Sequence, residues 1–194
     1  MKFATIALAG FLSLAPGIVR AETPDLVGRI TAYDDAVIAI MKSKGGLQAR
    51  ADRFEPLVRE YYDMPAIAAI VVGPKWAAAS SAERSAAIAA LTRHSAITLA
   101  RSFGTFEGER FAVDPQIIAR AANRIVKVTI TSASKRDLVF YQFREGAAGW
   151  RIVDVISGGI SQLAAQRADV ASAVASGGTV ALTQRLTKLD AAAR

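Results

Sequence analysis

Cysteine is absent from the 194 residues, and histidine occurs once, at His94. Without cysteine there is no thiol catalysis, no disulfide exchange and no thiolate metal site, so stability must come from packing. With one imidazole a zinc site lacks the nitrogen or sulfur ligands it usually needs, and no metal or cofactor is expected. Aromatic residues are only 7 % of the chain, and no basic run interleaves with them, which makes nucleic acid a poor partner. P-loop, dinucleotide glycine motif and serine-centred elbow are all missing. Gly45-Gly46, Gly158-Gly159 and Gly177-Gly178 are isolated pairs, worth no more than turns. Beyond the N-terminus no segment reaches about 18 uninterrupted apolar residues, the length that reads as a membrane-crossing helix.

What is abundant is apolar surface: hydrophobic residues make up 52 % and mean hydropathy is +0.27. Residues 1–21 read as an export signal. Lys2 gives a positive start, Phe3 to Ala15 a short apolar stretch, and Val19-Arg20-Ala21 a cleavage site. The mature chain, 22–194, is then expected outside the cytoplasm as one domain with a sizeable core. Without Lys2 and Arg20, 22 basic residues stand against 17 acidic ones, a balance of +5. Such an excess suits anionic lipid headgroups or an acidic docking partner, and equally ordinary solubility.

Periodicity divides the mature chain in two. Thr23 and Pro24 read as a helix start, and Leu26, Ile30, Tyr33, Val37, Ile40 and Met41 recur at helical spacing. A second helix is expected to start at Asp52 to Glu55, with Pro56 in its first turn. Asp63-Met64-Pro65 opens a short, almost wholly apolar helix to Val72, and Gly73-Pro74-Lys75-Trp76 is a turn. Ser80-Ser81-Ala82-Glu83 is a capping box for a long helix to about Ser102. From Thr105 the period becomes two, with strands around Val126–Ile130, Leu138–Phe143 and Trp150–Val155 and a fourth between Thr105 and Ala119. Ser157-Gly158-Gly159 is expected to end the sheet before two final helices parted at Gly177-Gly178. The fold class is α+β: a curled antiparallel sheet of about four strands with helices on one face.

The order Asp63-Met64-Pro65-Ala66-Ile67-Ala68, then Val72-Gly73-Pro74-Lys75-Trp76, then Ser80-Ser81-Ala82-Glu83-Arg84 resembles the MlaC or toluene-tolerance family. Phe106 to Phe111 and the block Trp150 to Ser161 fit its later motifs. Arg101-Ser102-Phe103 to Glu109, with Ala165-Gln166-Arg167-Ala168-Asp169, looks most like its hopanoid-associated branch, HpnM. The resemblance implies an NTF2-like cone whose sheet and helices enclose an apolar pocket for lipid tails. It implies a periplasmic carrier, making and breaking no bond, that moves a hopanoid or phospholipid between an inner-membrane transporter complex and an outer-membrane acceptor. Contact with the membrane surface would be transient.

The physics makes such a carrier useful. At about 0.8 kcal/mol per methylene, exposing a lipid of roughly 30 apolar carbons to water costs on the order of 20 kcal/mol. The pocket is expected between the concave sheet face and the first helices. Its candidate lining is Ile67, Ile70, Val71 and Trp76 from the middle helices, with Leu91, Leu99 and Phe103 from the long one. Val128, Tyr141, Phe143, Val153 and Val155 come from the strands, and Ile160 and Leu163 from the helix that follows. Each serves equally well as plain core, since periodicity identifies a face and not the space beyond it.

Few other residues invite chemistry. Asp154 with Tyr141 could act as base and donor in an enzyme on an apolar substrate, or Asp154 could anchor a hairpin or helix end through backbone hydrogen bonds. A ligand-free structural adaptor with a filled core is the third reading. His94 reads as a packed histidine, Asp34-Asp35 as a solvated pair, and Glu107-Gly108-Glu109 as a turn. Arg84, Arg93, Arg101, Arg167, Arg185 and Lys188 form either a basic docking rim or a scattered solvated surface. The signal reading makes one direct prediction: Edman sequencing of the exported protein should begin Glu22-Thr23-Pro24, and an intact Met1 would overturn it.

Overall fold

Helix α1, Leu26–Lys42, is capped by Asp25, whose carboxylate accepts from the Gly28 N–H at 2.7 Å. This computed structural model describes residues 25–193, so Thr23, Pro24 and the export signal lie outside the described residues. Leu26, Ile30, Tyr33, Val37, Ile40 and Met41 form the buried stripe of α1, and Asp34 is buried among them. Helix α2, Leu47–Tyr61, starts earlier than Asp52, directly after Gly46, and this corrects the expected boundary. Pro56 therefore lies inside the helix. It is exposed, so water can serve the carbonyl that its missing N–H leaves unbonded.

Helix α3, Met64–Val72, takes its cap from Asp63, which accepts from the Ala66 N–H at 3.1 Å. A single 3-10 turn, Gly73–Trp76, leads to α4, Ser81–Ser102. Both halves of its capping box form: Ser80 Oγ accepts from the Glu83 N–H at 3.2 Å, and the Glu83 carboxylate accepts from the Ser80 N–H at 2.7 Å. The final helix, α5, spans Gln162–Ala191 and is broken where expected, at Gly177 and Gly178, the latter at φ 61°.

The sheet has six strands, not four. They are β1 Arg110–Val113, β2 Ile118–Arg120, β3 Asn123–Thr131, β4 Arg136–Gly146, β5 Gly149–Ser157 and β6 Ile160–Ser161. All pairings are antiparallel, in the unclosed order β1-β3-β4-β5-β6, with β2 also on β3. Two local effects account for the extra strands. The single strand expected between Thr105 and Ala119 is split by Asp114-Pro115, because proline cannot donate to a ladder and Asp114 accepts from the Gln116 N–H at 2.9 Å to turn the chain. Gly158 and Gly159 then sit at φ 58° and 78°, the left-handed pair of a tight hairpin. They add β6 instead of ending the sheet.

A third irregularity lies between Gln142 and Phe143, where Gln142 pairs with Asp154 but Phe143 pairs with Ile152. Val153 is the extra residue of this bulge, so strict alternation fails and Ile152 and Val153 are both buried. The helices cover one face of the sheet. Helix α2 packs on α4 and α4 on α5; α3 packs on α5 and β5, while α1 meets β1 and β3.

Asp154 ties the sheet to the last helix. Its Oδ1 accepts from the Val155 and Leu163 N–H groups at 2.8 and 3.0 Å, and its Oδ2 from the Ser161 hydroxyl at 2.6 Å. Ser161 in turn caps α5 by accepting from the Ala164 N–H at 3.0 Å. These are the bonds of an anchor, made although Asp154 also borders the cavity described below. Asp154→Ala should therefore cost about 2–4 kcal/mol in urea unfolding. A loss below about 0.5 kcal/mol would show that the junction holds without it.

Candidate functional site

Between the sheet's covered face and helices α3, α4 and α5 lies an open cavity of about 1070 Å³. That is just above the roughly 300–1,000 Å³ typical of small-molecule sites. Seven of the fourteen candidate residues line it: Ile67 of α3, Leu99 and Phe103 of α4's end, Tyr141 of β4, Val153 and Val155 of β5, and Leu163 of α5. The structure places the other seven elsewhere. Val71, Leu91, Val128 and Phe143 are buried in the packed core. Ile70 borders a separate shallow hollow between α3 and α5, with Ala164, Arg167 and Ala168. Trp76 is half-buried beneath the Arg84 guanidinium, 5.6 Å from its ring centre. Ile160, 61 % exposed, belongs to edge strand β6, because the glycine hairpin carries it outward.

Sequence reasoning also missed part of the wall. Tyr33 and Met41 of α1, Tyr62 after α2, Val139 of β4, and Val170 and Leu186 of α5 face the cavity. Tyr33 and Met41 were visible as members of α1's apolar stripe. Nothing in their spacing says that the stripe borders open space. Val170 and Leu186 lie on opposite sides of the Gly177-Gly178 break, which lets both halves of α5 reach the cavity.

The cavity grades from polar to apolar. Arg101, Glu107, Glu109, Lys135, Asp137 and Arg185 carry charges of both signs at its border, while Ile67, Val139, Val153, Val170 and Leu186 are buried. Glu107-Gly108-Glu109 is a turn: Gly108 has φ 89°, and the Glu109 carboxylate accepts from the Glu107 N–H at 2.7 Å. His94 also borders the cavity and pairs with Asp190, Nδ1 to Oδ1, at 2.7 Å, which joins α4 to the end of α5. No cluster of potential metal ligands exists among the described residues. The arginines do not form one rim. Arg93 is held by Asp52 at 2.7 Å and Glu55 at 3.2 Å, and Arg84 donates to the Trp76 and Ala77 carbonyls at 3.1 and 2.9 Å.

The buried end holds a polar group that the sequence misrepresents. Asp34 does not belong to a solvated pair; it is 2 % exposed, while Asp35 faces water. On α1 the two are about 100° apart, so the stripe that buries Tyr33 and Val37 takes Asp34 with it. Neither Asp34 oxygen has a hydrogen bond of normal geometry. Burial pushes its carboxyl up to about 7, Asp35 adds to the rise, and the facing Tyr141 hydroxyl offsets part of it. Tyr33 and Tyr62 join hydroxyl to hydroxyl at 2.9 Å, and the Tyr33 ring meets that of Tyr141 edge-on at 5.7 Å. Burial holds all three phenols neutral, with Tyr62 pushed up to about 12.

A helix-covered open sheet with one large cavity, apolar inside and charged at its border, defines a pocket-bearing α+β protein of the binding type. The chain belongs to the MlaC family, whose model, described as MlaC protein, matches residues 31–188. Among solved structures it is similar to the phospholipid-binding protein from Ralstonia solanacearum, determined in complex with a phospholipid. The TM-score is 0.74 at 19 % identity, covering 87 % of this chain and 98 % of that one, which establishes a shared fold. No curated protein matches the sequence.

Asp34 makes stability depend on pH. Its folded value, about 7, lies above the ordinary 3.8, so its neutral form is the one the fold favours. Its contribution is complete below about pH 4, is lost as the pH rises to about 7, and stays lost above. Asp34→Asn should therefore exceed the parent protein at pH 8 by on the order of 3 kcal/mol and lose that advantage at pH 4. Urea midpoints at the two pH values measure this. An advantage independent of pH would remove the carboxyl from the account.

Proposed function

We propose that this protein is a periplasmic lipid carrier that binds and releases an apolar lipid without making or breaking a bond. The observation that carries the reading is the cavity of about 1070 Å³, left open beside a packed core, with the buried apolar side chains of Ile67, Val139, Val153, Val170 and Leu186 in its wall. An adaptor with a filled core has no use for such a space. Membership of the MlaC family and the phospholipid held by the Ralstonia relative support a lipid as the guest. The resemblance of Arg101 to Glu109 and Ala165 to Asp169 to the HpnM branch favours a hopanoid over a phospholipid, in an NTF2-like cone. The reading at 1–21 of an export signal supports a periplasmic carrier, and the family resemblance supports an inner-membrane transporter complex and an outer-membrane acceptor as its partners.

The cavity works by lowering the cost of the aqueous step. A guest of roughly 30 apolar carbons gains on the order of 20 kcal/mol when it leaves water for hydrocarbon surroundings. Bilayer and cavity offer similar surroundings, so transfer between them is near balance and loading can reverse. Charges of both signs at the border keep the opening wet, leaving a polar headgroup in water while the tail is covered.

Mass spectrometry of an organic extract of the purified protein should show about one lipid per chain. Leu99→Trp and Ile67→Trp, which fill the cavity from opposite helices, should cut that loading at least fivefold. Overpacking costs about 1–3 kcal/mol of stability. Val180→Trp, at a residue 45 % exposed on α5, should keep full loading. A lipid-free extract, or full loading in both blocking variants, would refute the carrier.

A further inference from the structure

The inner wall of the cavity is not plain hydrocarbon. Three tyrosines from three separate parts of the chain meet there: Tyr33 on α1, Tyr62 between α2 and α3, and Tyr141 on β4. Tyr33 and Tyr141 are 1 % and 3 % exposed. Among the buried residues beside them stands Asp34, with both oxygens unpaired. Buried polar atoms are nearly always paired, and a carboxyl left without partners is one of the costliest exceptions. Asp34 stands behind the lining, and a wall meant only to hold a tail would use phenylalanine at the three tyrosine positions.

A donor count shows what would complete the cluster. Each phenol has one O–H and can also accept. The 2.9 Å contact between Tyr33 and Tyr62 uses one of their two hydrogens and leaves the other without a partner. Tyr141 turns its hydroxyl toward Asp34 without closing a normal hydrogen bond. The group therefore retains both a spare donor and spare acceptors. A neutral hydroxyl, which donates and accepts at once, fits this set. An anionic group would place its charge close to Asp34. A quaternary ammonium would need open ring faces, but the Tyr33 ring already packs against those of Tyr61, Tyr62 and Tyr141 at 5.2, 6.0 and 5.7 Å.

We propose that Tyr33, Tyr62, Tyr141 and Asp34 form a polar subsite at the inner end of the cavity for a hydroxyl on the buried end of the lipid. The inference rests on the carrier reading and adds selectivity to it. A guest with a hydroxyl at its leading end is preferred to one that is hydrocarbon throughout. A purely apolar tip leaves the cluster's spare donor and acceptors unmatched, and this is how a polar site rejects an analogue that lacks its partner group.

The test uses straight-chain fatty acids of ten to sixteen carbons, each compared with the same acid bearing a hydroxyl on its terminal carbon. The acid group stays at the wet opening in both, so the pair differs only at the end that goes in. Binding is read by displacement of a fluorescent fatty acid from the full exported protein. At the length that reaches the inner wall, the hydroxy acid should bind about 3- to 10-fold tighter, the yield of one net hydrogen bond. In an apolar cavity it should instead bind weaker. Tyr62→Phe keeps the ring and removes only the hydroxyl, and should abolish the preference. Asp34→Asn serves as the second variant and should reduce it. If plain acids bind firmly and no hydroxy acid binds better at any length, the subsite is refuted and the carrier stands. A preference that survives Tyr62→Phe and Asp34→Asn together also refutes the subsite. If no acid of either kind binds, the carrier reading and the subsite fall together.

Discussion

An open volume of about 1070 Å³ deprives its walls of the dispersion contacts that close packing would supply. With no disulfide to hold them apart, the walls must be held by the packing beside them. Leu91, Val128 and Phe143, all fully buried, do this together with Phe54, Val58 and Ile152. Their role is to keep the helical layer and the sheet from collapsing onto each other, so the cavity depends on residues that never touch it.

Two irregularities direct the chain around that space. The bulge at Val153 breaks alternation, so that Ile152 joins the core while its neighbour Val153, with Val155, reaches the cavity from the same strand. A few residues later the Gly158-Gly159 hairpin and the Asp154 anchor reverse the chain and start α5 at a set place against β5. The break at Gly177-Gly178 then lets α5 bend, so that its first half and its last turns wall the cavity from two directions. Three local departures from regular structure thus shape one functional volume.

Polarity is distributed unevenly around the cavity. The border carries exposed charges of both signs, where water screens them cheaply. The interior carries Asp34 and three phenols, where each polar atom is expensive. Asp34 is the buried charged residue among the described residues, and there a local rule of the sequence, charge outward, is broken with neither oxygen hydrogen-bonded. Such a break is expected where function, and not packing, sets the residue.

Much of this was written locally. Helix caps at Asp63 and Ser80, the period change after Thr105 and the family motifs are short-range features, readable because they act through neighbouring residues and fixed spacings. Which apolar face meets another and which meets empty space depends on residues far apart in sequence. Leu91 and Leu99 share a helix and a hydrophobic character, yet one is core and the other wall. Asp34 shows the same limit for a charge: its burial follows from where α1 lies against the sheet. Amino-acid order alone determined the α+β class, the apolar character and the kinship. Tertiary packing alone decided where the hollow lies and what stands at its inner end, because a void is a property of the walls' arrangement and not of any one wall.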